Sequence, residues 1–421
     1  MKRILEAAKT VLIIVLFVGM LLLTAASLPT DSIRNSPFLS TVLRPLGPAL
    51  GLPQAELTYV EEAQPVMDAA LPLMISVRNT AGRYTAMWDF RELDRMFEEM
   101  GGLLGEALDT AENLTEATHA QVLQALSGSG VWFSYENSLP ANMIAVWLDA
   151  DTEQPLPEAN GFVLSVEASG VVLYLLEEDG YSRAETKLSA ERLMDLLENY
   201  RPDGTKIAFE TESALYPLTL LPAEGSTVPE VQRYNPCTGR YLETLATNFG
   251  FNPYGDSVYT DTAGDTYFSE TNCSLRVTAE GDMTLRSAAQ QRFRAQDAGD
   301  DALAEEARRL VTLAVSEVME DARLYMTKLE RQGMETTVTF DYVVSGIPVK
   351  SGEKSGASVT FSGTAVTEMN IRLAAFSVLE QPCSVLPATQ AAAIMPEGSA
   401  LRMRYLDDGS LVSAGWWKGE E

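Results

Sequence analysis

The chain has 421 residues and a formal net charge of −28, with 31 Lys and Arg against 59 Asp and Glu. That length accommodates about two to four folded units, each able to bury its own core, and the acidic balance excludes nucleic acid as a partner of the folded body. A single histidine, His119, excludes any site built on two His ligands.

With 46% hydrophobic and 21% charged residues the composition is that of a globular protein whose acidity lies on a solvated surface. Cys237, Cys273 and Cys383 form no CxxC pair, so neither a zinc ribbon nor a thioredoxin-type motif is available. Cys237 and Cys273 are the nearest pair for a single bridge. Three separate thiols are the simpler reading.

From Val11 to Leu28 the chain reads VLIIVLFVGMLLLTAASL, 18 residues without a charge. At about 1.5 Å per residue this nearly spans a hydrocarbon core of about 30 Å. Lys2, Arg3 and Lys9 precede the run and Asp31 follows it, which places the N-terminus in the cytoplasm and the rest outside. The expectation is a single-pass anchor in the cell membrane. Ala25, Ala26 and Ser27 leave open a cleaved signal peptide, although the run is longer than a signal h-region. Val11, Val15, Val18, Gly19, Leu22 and Thr24 are the positions expected to meet a partner helix, with no GxxxG among them.

Residues 29–55 carry Pro29, Pro37, Pro45, Pro48 and Pro53 and read as an extended stalk. Residues 56–204 alternate strand and helix patterns. LMISVR predicts a strand, DFRELDRMFEEMGGLLGEAL a helix, and FVLSVEAS with VVLYLLEE a hairpin around Gly170, each alternating with a period of two. Gly101, Gly102 and Gly105 lack phosphate-loop spacing and mark a break or a close-packing point. Residues 205–295 form a middle unit with a helix near Gly239 to Phe249 and three short strands. Residues 296–421 open with the strongest helical stripe, Leu303 through Leu329, ending before Gly333, and continue as successive strands. The expected class is α+β: the anchor, then about three units built on antiparallel sheets, the last with one long helix on its sheet.

Asp149 with Asp151, and Asp256, Asp261 and Asp265, are the carboxylates that could serve glycoside hydrolysis, but sequence spacing does not bring two acids across a cleft. The segment from Asp256 to Glu270 lacks the calcium-loop spacing and reads as surface turns. His119 lies among polar residues with no G-x-S-x-G elbow in the chain. Trp132, Trp147, Trp416 and Trp417 occupy strand-like segments and read first as core. Of the adjacent Trp416 and Trp417 one must face outward, and that one is an interaction candidate. No catalytic, cofactor or metal site is assigned.

The layout resembles the YycH family of membrane-anchored regulators of the YycG (WalK) sensor histidine kinase of Gram-positive bacteria. The resemblance lies in the N-terminal anchor, the segment QVLQALSGSGVWFSYENSLP, the Tyr-Thr-Asp strand and GDMTLRS of the middle unit, and the stretch from TFDYVVSGIPV to SLVSAGWWKG, which is also similar to YycI. It implies a non-enzymatic extracytoplasmic protein acting beside a YycI-like partner on a YycG-type kinase, and so on cell-wall metabolism. It also implies that the membrane helix carries much of the kinase contact. Two other classes stand beside it: a cell-surface module binding wall glycan or peptide, and a carboxylate-dependent hydrolase.

Overall fold

Strand-forming runs of Val, Ile, Phe, Tyr and Thr recur between polar turns along most of the chain, and they assemble into two large sheets. The computed structural model describes residues 69–419 apart from 153, 271, 289–291, 353 and 410. These belong to one compact unit, Ala63–Glu421. The expected anchor and stalk, including Val11, Val15, Val18, Gly19, Leu22 and Thr24, lie outside the described residues. Among the described residues no helix is long and apolar enough to cross a membrane.

The first sheet is antiparallel throughout. Its strands are β1 (Met74–Asn79), β2 (Gly82–Ala86), β3 (Glu112–Glu116), β4 (Gly130–Pro140), β5 (Glu158–Glu167), β6 (Gly170–Leu176) and β7 (Tyr181–Glu185), in the order β2-β1-β4-β5-β6-β7-β3. Against one face pack α1 (Phe90–Asp109), α3 (Ala141–Trp147) and α4 (Ala190–Leu197), around Phe133, Phe162, Leu164 and Leu173. Against the other lies α2 (His119–Ser127), where Trp132, Val163, Val172 and Tyr174 meet Val122 and Leu126. The sequence pattern predicts alternation along β5 and β6. Both faces are covered instead, so Phe162, Val163 and Leu164 are buried in succession.

Asp89 caps α1, and the helix runs unbroken through its glycines. These are packing points: a Cβ on Gly101 would lie 3.1 Å from the Phe97 ring, and one on Gly105 would lie 3.1 Å from the Leu148 carbonyl at the end of α3. Thr118 and Gln121 form a reciprocal capping box at the start of α2.

A short pair, β8 (Lys206–Ile207) with β9 (Leu220–Leu221), follows. Beside it Arg83, nearly fully buried, reaches the Glu210 carboxylate at 3.0 Å, Ser76 at 3.2 Å and the Leu126 carbonyl at 2.8 Å. Burial lowers the pKa of this guanidinium, and Glu210 works in the opposite direction. The buried charge is therefore held by its carboxylate partner.

The second sheet contains β11 (Val258–Thr260), β12 (Thr266–Glu270), β13 (Cys273–Val277), β14 (Asp282–Ser287), β15 (Ala322–Gln332), β16 (Glu335–Val344), β17 (Ile347–Lys350), β18 (Ala357–Ser362), β19 (Ala365–Arg372), β21 (Leu401–Asp407) and β22 (Val412–Lys418). Its order is β11-β12-β13-β14-β19-β18-β16-β17-β21-β22, with β15 on the other side of β16. Among the described residues only β17 and β21 pair in parallel. Two further strands, β10 (Pro229–Tyr234) and β20 (Ala375–Pro382), pair separately.

The boundary read at residue 295 runs through this sheet, because β14 pairs with β19, Leu285 opposite Met369. One face is covered by α5 (Gly239–Asn248) and α6 (Asp300–Val315). The last helix, α7 (Ala388–Ile394), packs Ala391 beside Leu401.

The helical stripe expected to reach Leu329 ends at Val315. Residues 322–332 instead form β15, paired along its length with the β-branched run of β16 and closed by Gly333 at φ 68°. Met326 and Leu329 of this strand touch both large cores, and pairing plus burial outweighs local helical periodicity. Arg331, which by charge suits a helix C-terminus, meets Asp300 at the helix start instead, at 2.5 Å, near the far end of β15.

Candidate interaction surfaces

Alternation on β22 turns Val412, Ala414 and Trp416 inward and Trp417 outward. Trp416 packs between two hydrophobic clusters, tilted against Trp88 at 5.8 Å, and its indole N–H donates to the Leu386 carbonyl at 2.7 Å. It is half-buried against the core. Trp417 is 39% exposed and stands opposite Arg402 in the β21–β22 register, with its ring nitrogen 3.7 Å from where a Cβ on Gly415 would be. The outward member of the pair expected from sequence is thus Trp417.

Beside it, Arg402 and Arg404 converge on Glu136 of β4. Arg404 donates to Glu136 Oε1 at 2.9 Å, and Arg402 donates to the Glu136 carbonyl at 3.1 Å. The three side chains join the two sheets at this corner.

The larger surface lies elsewhere. Along β13, Cys273, Leu275 and Val277 point to the core while Ser274 and Arg276 point out, and β14 and β18 repeat the pattern. Register carries one outward row across the strands: Tyr259, Tyr267, Arg276, Thr284, Asn370 and Ser358. A second row runs Ser269, Ser274, Arg286, Glu368, Thr360 and Thr337. Every one of these side chains is half-buried or exposed.

At the β11 edge the rings of Tyr259 and Tyr267 stack at 4.8 Å and 8°, and the Arg276 guanidinium lies 5.6 Å from the Tyr267 ring centre. The stack therefore ends on Tyr259, which is 56% exposed. Arg276 is oriented by Asp265 at 2.6 Å, and Thr284 donates to the Asn370 side-chain oxygen at 3.0 Å. Arg276 and then the Ala279 N–H hold the Asp265 carboxyl below its usual range.

Of the other carboxylates singled out in the sequence, Asp261 is built into a turn. Asp261 accepts the N–H groups of Ala263 and Asp265. Asp149 follows α3 at φ 56°, and the Asp151 N–H donates to Asp109. Asp256 is exposed. His119 accepts or donates through Nδ1 to Tyr181 at 3.0 Å, and Tyr181 meets Tyr216 at 2.9 Å. Trp132 and Trp147 are buried. The three cysteines are free thiols. Among the described residues no group of three or more His, Cys, Asp or Glu is arranged to hold a metal ion.

Sequence reasoning missed the tyrosine row. The period-two placement of Ser, Thr, Asn and Arg in CSLRV, DMTLRS and ASVTFS carried its signal, but the β14–β19 pairing that aligns the rows is not written in any one segment. No protein-family model matches the chain, and no curated protein matches it.

Proposed function

We propose that the chain is a non-enzymatic, membrane-anchored extracytoplasmic regulator of a YycG-type sensor histidine kinase, acting with a YycI-like membrane protein. The observation that carries the reading is the order of parts. An uncharged run of 18 residues behind Lys2, Arg3 and Lys9 is followed by an acidic α+β body of largely antiparallel sheets. The resemblance of QVLQALSGSGVWFSYENSLP, GDMTLRS and the final strands to that family supports it.

In this reading Val11–Leu28 lies in the bilayer and meets the kinase there, while the body faces the wall. The surface offered by Trp417 beside Arg402 is the ectodomain's contact for a membrane partner.

Membrane pull-down with the intact chain, beside one whose residues 11–28 are replaced by an unrelated apolar helix, tests it. Capture of a sensor kinase that is lost on replacement supports the reading and places the contact in the bilayer. Capture that survives replacement moves the contact to the ectodomain. Absence of any kinase from both captures overturns it.

A further inference from the structure

We infer that the corner formed by Trp417, Arg402, Arg404 and Glu136 docks an acidic segment of a protein partner, with a carboxylate on Arg402 and an apolar side chain on the Trp417 ring. The inference rests on the reading of this corner as the ectodomain's contact and names the chemistry of what binds there. A peptide titration reads it without any kinase, so the two fail separately.

Local structure builds the corner. β4 leaves its pairing with β5 between Ser134 and Leu139, and Glu136 sits in that irregular stretch. Bulges of this kind re-aim a side chain. From there the Glu136 backbone carbonyl accepts a hydrogen bond from Arg402 Nη1 at 3.1 Å, and its carboxylate accepts one from Arg404 at 2.9 Å. Across β21 and β22, Trp417 stands opposite Arg402 and Gly415 opposite Arg404. The indole nitrogen lies 3.7 Å from where a Cβ on Gly415 would be, so the bare glycine leaves room for the ring to lie along the strand toward the Arg404 position.

Charge sets the sign of the ligand. Two guanidiniums meet one carboxylate, which leaves the corner with one positive charge in a chain of net charge −28. Exposed charges farther away than about 8 Å are largely screened at physiological salt, so an approaching segment meets this local charge. Arg402 carries it outward: its side chain is 34% exposed, against 16% for Arg404. Arg402 uses Nη1 on Glu136, while its Nε and Nη2 make no hydrogen bond among the described residues. Those two nitrogens are the side-by-side donors that a carboxylate bridges.

The Trp417 ring sets the kind of ligand. An indole exposed by 39% is a broad apolar surface held in water. Trp and Arg are the side chains on which the energy of protein–protein contacts concentrates. A small inorganic anion would use the charge and leave the ring wet, whereas a segment carrying Asp or Glu beside an apolar side chain engages both. Because Glu136 already orients the arginines, less freedom is lost on docking.

The test uses the full chain in detergent and fluorescence anisotropy with a labelled peptide of four glutamates around one leucine, beside its counterpart with glutamine in place of glutamate. Trp417→Ala and Arg402→Gln are measured in parallel, with Arg294→Ala, an exposed arginine bonded to Thr364, as the control and circular dichroism confirming each fold. The expected result is a Kd of about 1 mM or tighter for the glutamate peptide, about tenfold weaker for the glutamine counterpart, weakened about tenfold by Trp417→Ala and by Arg402→Gln, and unchanged by Arg294→Ala. Should Arg402→Gln fail to fold, Trp417→Ala, altered on the solvent side, carries the comparison. Failure of the glutamate peptide to bind the parent chain overturns the inference, and so does equal binding of the glutamine counterpart. Binding undiminished in either folded variant places the acidic segment elsewhere and overturns it equally.

Discussion

The guanidinium of Arg323 on β15 lies 4.2 Å from the ring centre of Phe90, at the start of α1. The same group grips both oxygens of Asp94, one turn further along, at 2.6 and 2.7 Å. A strand of the second sheet is thereby fixed to the first helix of the first layer by a stacked cation and a two-point ion pair. Both charged groups retain solvent contact, so the pair contributes modestly. Arg323→Ala is expected to lower unfolding stability by about 1–2 kcal/mol, with Arg323→Lys restoring little because it lacks the planar fork. Urea titration of the two variants checks this, and equal stability of the Lys variant and the parent would refute it.

A larger effect is expected at Glu210. Its carboxylate faces both Arg83, almost wholly buried, and Arg78, at 3.0 and 2.8 Å. Glu210→Gln leaves Arg83 without its counter-charge inside the protein and should cost about 3 kcal/mol or more. Replacing Arg83 and Glu210 together by Met and Leu should recover most of that loss. The comparison of single and double variants by chemical denaturation decides it.

Two glycines should respond in opposite directions to alanine. A Cβ on Gly130 would lie 2.3 Å from the Leu164 carbonyl oxygen on β5, and backbone cannot give way as a side-chain tip can. Gly130→Ala should therefore destabilise by at least about 2 kcal/mol. Gly102, on the exposed side of α1, has nothing within 4 Å of such an atom. Gly102→Ala should stabilise by about 0.5–1 kcal/mol. Thermal melts of both, in one buffer, read the two signs directly.

Acid should weaken the second sheet through Asp265. Its folded pKa lies below the ordinary value, first because of Arg276 and then the Ala279 N–H. A depressed folded pKa means that the contribution is fully present above the unfolded value of about 4 and is lost as pH falls below it toward the folded value. Asp265→Asn should be less stable than the parent at neutral pH, with the difference shrinking below pH about 4. A constant difference across that range would rule the assignment out.

Thiol chemistry offers a further check. Burial pushes the Cys237 thiol up to about 11, and burial also raises Cys273 and Cys383. The thiolate is the reactive species, so the native protein should react slowly with a disulfide reagent at pH about 8. The denatured protein should release three equivalents. Fewer than three would reveal a bridge.

The parts of this fold legible in the sequence are those where one local rule sufficed. The helical pattern of DFRELDRMFEEMGGLLGEAL gave α1, whose buried stripe includes Leu93, Met96, Phe97 and Met100. Gly170 marked the β5–β6 hairpin. The residues from Ala322 to Gln332 were misread because Tyr325 and Leu329 extend a helical spacing, whereas their fate is set by β16, which follows in the chain. The outward face of the second sheet was hidden for a related reason. Each outward Ser, Thr or Asn looks like an ordinary solvated position until register aligns it with its neighbours. Of the two adjacent tryptophans, the rule of alternation required one to face out, but the packing that holds Trp416 beside Trp88 identified it as Trp417.

The pairing of β14 with β19 has a consequence for how the protein comes into being. Leu285 must wait for Met369, and neither strand has a full complement of hydrogen bonds until the other arrives. On a ribosome the earlier half of the second sheet emerges first and stands with an open edge while the intervening helix and hairpins are still being made. Pairing across so long a stretch is slow. Synthesis halted before α6 leaves the apolar face without its second covering helix, and synthesis halted between α6 and β19 leaves the β14 edge open, so the arrival of β19 completes this half of the molecule.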